Sequence, residues 1–200
     1  MNPSRYQDVI IAGFGGQGVL LIGNLLAYAA MEQGLHITFM PVYGVEMRGG
    51  TANCTVVLAE DEIGSPIIHT PRSLILMNQP SLDKFQPRLA DGGVQVVNSS
   101  IVAPERVDQT RVRSVLIPVN DLADELGNVK MANMVALGAW LEATQALSLE
   151  RVQGALVNVI SDRNSHLIPQ NRQALARGAR FVQTETSSGV SQEQAEQARM

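Results

Sequence analysis

With 200 residues, 45% of them hydrophobic, the chain can bury one large core, which excludes a disordered polymer. A net charge of −4 and 4% aromatic residues supply neither the clustered cations nor the stacking platforms that nucleic-acid binding needs. Charged residues reach only 17%, against about 25% in a typical soluble domain, which points either to a surface covered by other subunits or to a monomer rich in Ala and Val outside.

In chain order, residues 8–12 (DVIIA) read as a buried strand running into glycines, and residues 17–32 as a helix with Gly34 as its C-cap. Residues 36–40 form a second strand closed by Pro41, so the opening reads as a βαβ unit with parallel strands. Further strands are expected over 54–59, 73–77, 94–97 and 112–119, with a short helix over 80–89. The expected fold is α/β: a Rossmann-like, open, mostly parallel sheet with helices on both faces and a helical C-terminal portion. That portion comprises a short helix over 121–126, helices over 132–146 and 149–160, the latter capped by Ser148, and a candidate over 165–177 interrupted by Pro169. Residues 1–183 are expected to form one α/β domain, and 184–200 a polar tail that is disordered or becomes ordered only against a partner.

Cys54 is the only cysteine, so a disulfide framework, a Cys₄ zinc site and an iron–sulfur cluster ligated by this chain alone are excluded. His36, His69 and His166 lack metal-ligand spacing and read as structural or surface residues. Residues 19–31 are too short to span a bilayer, and Asp8 interrupts any signal-like apolar start, so no membrane is expected and the cytoplasm is the expected address.

Two glycine segments carry the functional signal. Gly13-Phe14-Gly15-Gly16-Gln17-Gly18 satisfies G-x-G-x-x-G between a strand and a helix, a turn whose backbone amides can face an anion. A nicotinamide site also needs a carboxylate at the end of the second strand, and Thr38-Phe39-Met40-Pro41 has none. The turn therefore reads as a site for a phosphate-bearing ligand, as a partner contact, or as a device for close helix–sheet packing. Gln17 reads as a neutral hydrogen-bonding side chain at its mouth. Tyr43-Gly44-Val45-Glu46-Met47-Arg48-Gly49-Gly50 follows the second strand and belongs on the same sheet edge. There Arg48 could meet a phosphate or a partner carboxylate, with Glu46 orienting it or itself bonding a ligand amine, or the charges could be solvated on a surface turn.

GFGGQGVLLIGNLLAYAA, PVYGVEMRGGTANCTVVLAEDEIGSPII and NMVALGA together resemble the gamma subunit of 2-oxoacid:ferredoxin oxidoreductases, in particular the 2-oxoglutarate type, over residues 5–182. The resemblance implies a subunit inactive alone, within a complex that converts a 2-oxoacid and coenzyme A to acyl-CoA and CO₂ while reducing ferredoxin. It further implies alpha, beta and ferredoxin-like delta partners that hold thiamine diphosphate, Mg²⁺ and the iron–sulfur clusters. Coenzyme A would be the co-substrate contacted by this chain. Carried over residue by residue, its binding candidates are Gly13, Gly15, Gly16, Gln17 and Gly18, then Glu46, Arg48, Gly49 and Gly50. VEMRGG is less basic than the loop of the fused pyruvate enzymes, which sets direct 3′-phosphate binding by this loop in question. The rival expectations are a purely structural assembly subunit and a stand-alone nucleotide-binding enzyme.

Overall fold

A computed structural model describes the backbone of residues 6–43 and 51–197, and the side chains of 6–42 and 51–185. Six strands form one sheet in the order β2-β3-β1-β4-β5-β6: β1 Tyr6–Phe14, β2 His36–Tyr43, β3 Thr51–Ala59, β4 Ser73–Leu76, β5 Val94–Asn98 and β6 Arg113–Ile117. The pairs β1–β4, β4–β5 and β5–β6 are parallel. The expected mostly parallel α/β sheet is present, with one departure from the βαβ reading. β1 and β2 run in the same direction but are not neighbours, because β3 lies between them, antiparallel to both. The hairpin partner of β2 thus takes the place that β2 would hold in a simple crossover.

Alternation along the strands sorts the core into two layers. Val9 and Ile11 of β1, Cys54 and Val56 of β3, Ile75 of β4 and Ile117 of β6 face one way. Against them pack the helices α1 (Val19–Met31), α4 (Ala132–Thr144), α5 (Leu149–Val159) and α6 (Ile168–Gln197). Ile10, Ala12, Leu74, Leu76 and Val97 face the other way, under α2 (Gln79–Phe85) and the segment leading into β6. Helices therefore cover both faces, but unequally. The remaining helix, α3 (Val119–Glu125), adds Val119, Leu122 and Ala123 to the first layer.

Local signals act where they were expected. Gly34, at φ 74°, ends α1: its N–H donates to Met31 O and the Leu35 N–H to Ala30 O, a Schellman arrangement. The Ser148 hydroxyl accepts from Arg151 N at 3.4 Å and caps α5. Pro169, read as an interruption, is instead the second residue of α6, where its missing N–H costs no intrahelical bond. That helix continues through the polar segment to Gln197.

α4 and α6 meet backbone to backbone. A Cβ on Gly138 would collide with the Leu175 carbonyl, and one on Gly178 with the Val135 carbonyl. Trp140 on α4 is fully buried and donates from Nε1 to Ser73 Oγ at 3.0 Å, and that hydroxyl donates to Asp8 O at 2.6 Å, tying the helical layer to β4 and β1. Among the described residues no helix is long and apolar enough to cross a membrane.

Candidate functional site

The glycine turn leaves the C-terminal end of β1. Gln17 N–H donates to Phe14 O at 3.1 Å, and Ile22 N–H to Gly18 O at 3.2 Å opens α1. Gly16 and Gly18 have φ of 98° and 71°, backbone that side chains with a Cβ rarely adopt. Gly13 is needed for space: a Cβ there would lie 2.7 Å from Gln17 Oε1 and 3.0 Å from Met77 Cβ. Gly15 and Gly16 are exposed at the tip.

The Gln17 side chain is hydrogen-bonded within the chain. Its Oε1 accepts from Phe14 N at 2.7 Å and from Asn78 Nδ2 at 3.2 Å, and its Nε2 donates to Met77 O at 3.2 Å. The side chain therefore ties the turn to the end of β4. Asn78 also caps α2, accepting from Ser81 N at 2.9 Å. Asn98, at the end of β5, donates to the same Met77 carbonyl and to Asn120 Oδ1, each at 3.2 Å. A row of carboxamides thus links the C-terminal ends of β1, β4, β5 and β6.

Asn133 completes this edge from a distant part of the chain. It is 5% exposed and donates from Nδ2 to Gly18 O at 3.2 Å. Its amide stands where a side chain on Gly18 would have to go. The asparagine of NMVALGA, the third motif of the sequence, is thus a direct support of the first. The rest of that motif, Met134 to Ala139, is buried.

Two clefts open beside this support. One, of about 190 Å³, lies between the turn (Gly16, Gln17), Asn120 and the segment holding Lys130 and Asn133. The other, of about 330 Å³, runs past Leu21, Met131, Val159, Ile160 and Leu167, with Lys130 and Asn133 again in its wall. Lys130 is exposed, and the ion pairs found among the described residues do not include it. The sequence reading singled out neither Lys130 nor, Asn133 apart, the residues of the second cleft as site candidates. The one available signal was a cation and an amide, KMAN, leading an otherwise apolar helix.

Glu46, Arg48, Gly49 and Gly50 lie outside the described residues. Their flanks are placed: Tyr43 pairs with Ala52, and Thr51 pairs with Phe14, the residue from which the glycine turn departs. The flanks of the second glycine segment therefore lie at the sheet edge from which the glycine turn departs. The insertion of β3 sets the end of β2 two strand spacings from β1, roughly 9–10 Å. A dinucleotide ribose held between neighbouring β1 and β2 has no counterpart here.

The thiol is structural. Cys54 lies under α1, its Sγ 3.6 Å from Val19 O, and burial pushes its pKa up to about 12. A Cβ on Gly23 would meet that sulfur. Among the described residues no group of three or more His, Cys, Asp or Glu side chains is placed to hold a metal ion.

Residues 8–181 match the family described as pyruvate ferredoxin/flavodoxin oxidoreductase. Ketoisovalerate oxidoreductase subunit VorA of Methanothermobacter thermautotrophicus is 37% identical over 87% of this chain and 36% of its own length. The chain thus spans about a third of that relative, and 28% of VorA of Methanothermobacter marburgensis. 2-Oxoglutarate synthase subunit KorC of Methanothermobacter thermautotrophicus is 32% identical over 87% of this chain and 97% of its own length. Among solved structures, the gamma subunit of a keto/oxoacid ferredoxin oxidoreductase from Geobacter sulfurreducens superposes with a TM-score of 0.78 at 25% identity, covering 90% of this chain and 97% of that one. The 2-oxoglutarate:ferredoxin oxidoreductase of Magnetococcus marinus, solved with 2-oxoglutarate, coenzyme A and succinyl-CoA bound, gives 0.81 at 20% identity over 91% of this chain and 32% of that one, a likeness of fold.

Proposed function

The chain belongs to the pyruvate ferredoxin/flavodoxin oxidoreductase family, and from that premise we propose that it is the accessory gamma subunit of a 2-oxoacid:ferredoxin oxidoreductase of the 2-oxoglutarate type. In this reading it supports conversion of the 2-oxoacid and coenzyme A to acyl-CoA, CO₂ and reduced ferredoxin, and helps seat coenzyme A. Thiamine diphosphate, Mg²⁺ and the iron–sulfur clusters belong to its alpha, beta and delta partners, and the complex works in the cytoplasm. The match to KorC over 97% of that subunit's length carries the assignment to a separate subunit. The identity of 37% to a VorA subunit makes branched-chain oxoacids the substrate class to test beside 2-oxoglutarate.

What this chain brings to coenzyme A is a braced glycine turn beside a cleft whose wall includes a lysine. The oxyanions of a nucleotide suit such a place, since backbone N–H groups and an ammonium both donate to them. Anaerobic affinity purification of the chain from its native cells tests the reading. Co-purifying subunits, iron–sulfur absorbance and coenzyme A-dependent viologen reduction are expected, with 2-oxoglutarate outperforming pyruvate and 2-oxoisovalerate. A colourless, active single chain would overturn it.

A second reading, a structural assembly subunit without ligand, draws on the Gln17 contacts: the side chain is spent on Phe14, Met77 and Asn78. Under that reading, variants of the turn weaken assembly and leave the KM for coenzyme A unchanged in whatever complex survives.

A further inference from the structure

We propose that the outer edge of β2 is an interface between two copies of this chain, in which residues 36–40 pair antiparallel with the same residues of the second copy about a two-fold axis through Thr38. The proposal is independent of coenzyme A and of the 2-oxoacid.

The two edges of the sheet are built differently. β6 closes one side with five residues and opens on the exposed Arg113. β2 closes the other with eight, His36–Tyr43, and none of them is Lys, Arg, Asp or Glu. Short length and charge are the usual guards against edge-to-edge pairing, and β2 has neither. Met40 and Val42 are 36% and 48% exposed, and Ile37 and Phe39 are half-buried, so the strand carries apolar side chains to its edge on both faces. Among the described residues no strand lies beyond it.

The one guard present, Pro41, sets the register. Proline has no N–H, and within a paired edge strand it stands with its nitrogen toward solvent. The strand alternates with a period of two, so Ile37 and Phe39 turn their N–H and C=O groups outward as well. Pairing centred on Thr38 sets Ile37 opposite Phe39 of the second copy, and each such pair exchanges both N–H···O bonds. Pro41 then falls beyond the paired run. Pairing centred on Phe39 would instead set Ile37 against Pro41 and lose a bond in each half.

Thr38 gives the second reason. Its Oγ1 is shielded from water and has no hydrogen-bond partner among the described residues, a costly state for a hydroxyl. At the centre of the proposed pairing the two Thr38 residues occupy a non-hydrogen-bonded position, where side chains approach most closely. A step in χ1 then lets one hydroxyl donate to the other, a cross-strand contact that threonine pairs make. This is why the occupant is a second copy: two-fold pairing brings a hydroxyl to this hydroxyl by symmetry, and a strand without charges sets no like charges against each other when it pairs with itself.

Sedimentation of the full-length chain tests the edge. One strand pair lies at the small end of specific interfaces, so the measurement is made at about 100 μM, where twice the 21.6 kDa mass of the chain is expected. Thr38→Lys and Thr38→Glu should each sediment as monomers, because each would set two like charges at the centre. Their mixture should recover the doubled mass as a heterodimer. Thr38→Cys supplies a readout that survives weak affinity: mild oxidation should join two copies by a disulfide, in the chain alone and in the assembled complex. Cys54 is fully buried and gives no background. Met40→Cys, which this register sets opposite His36, lies too far from its own copy to be bridged. A monomeric wild-type chain whose Thr38→Cys variant crosslinks no faster than Met40→Cys would overturn the proposal. So would a dimer that Thr38→Lys leaves intact, since it would form elsewhere on the molecule. A monomeric wild-type chain whose Thr38→Lys variant no longer assembles with the other subunits would also overturn it, because the edge would then seat one of those.

Discussion

Gly18 and Asn133 show how one residue can decide the shape of a site. Gly18 has φ of 71° and faces the Asn133 amide, whereas Gly16, at φ 98°, has open space where a Cβ would go. Gly16→Ala therefore meets only the left-handed backbone cost, roughly 1–2 kcal/mol. Gly18→Ala meets the same cost and must also displace Asn133 and its bond to Gly18 O, about 1 kcal/mol or more further. Urea midpoints of the full-length chain should rank wild type above Gly16→Ala above Gly18→Ala, and equal midpoints for the two variants would contradict the packing argument. Asp8 makes a different prediction. Burial raises its pKa above 3.8, against the opposing pull of the Arg72 N–H bond at 2.7 Å, the Tyr6 hydroxyl and the Arg72 charge. The folded chain then binds the proton more tightly than the unfolded chain, so this carboxyl makes stability fall as pH rises from 3.8 through the folded value. Asp8→Asn keeps an acceptor for Arg72 N and should remove that contribution, so that the urea midpoint falls less, or rises more, between pH 3.8 and the folded value, which an unaltered slope would refute.

At the scale of elements, the crossing of α4 and α6 depends on Gly138 and Gly178, each lying against a carbonyl of the opposite helix. Backbone cannot yield as a flexible side chain does, so either alanine variant has to push the helices apart, at about 3 kcal/mol. Once one substitution has separated them, the second should cost less. The double variant is expected to fall short of additivity by about 1 kcal/mol or more in chemical denaturation, and strict additivity would mean the two contacts are independent. The elements themselves were legible wherever their cause was local. The apolar run before the glycines, Gly34 at the end of α1 and Ser148 at the start of α5 all act within a few residues. What escaped was non-local. Thr51–Asn53 belongs to β3 only because it pairs with both β1 and β2, and a reading by chain order places β2 next to β1. Likewise Gln17 carries no local sign that its amide turns inward to Met77, sixty residues away. Asn133 reaches the glycine turn across a separation of more than a hundred residues, through tertiary packing that has no periodicity to read.

For the whole molecule, the candidate site is an edge assembled from segments that share no sequence neighbourhood: the turn after β1, the amides after β4 and β6, and the approach to α4. Arg48 belongs to the connection whose ends, Tyr43 and Thr51, sit at that same edge. If this chain seats coenzyme A, the two cations to test are Arg48, in the connection between β2 and β3, and Lys130, just ahead of α4. Arg48→Ala should then raise the KM for coenzyme A in the assembled complex while partner subunits, thiamine and cluster content stay at wild-type levels. A cycle with Lys130→Ala tells how the two cations divide the work. Cations on separate phosphates give penalties that multiply, whereas cations on one phosphate give a double variant little worse than the poorer single one. An Arg48→Ala complex with normal coenzyme A kinetics would remove that arginine from the coenzyme A site.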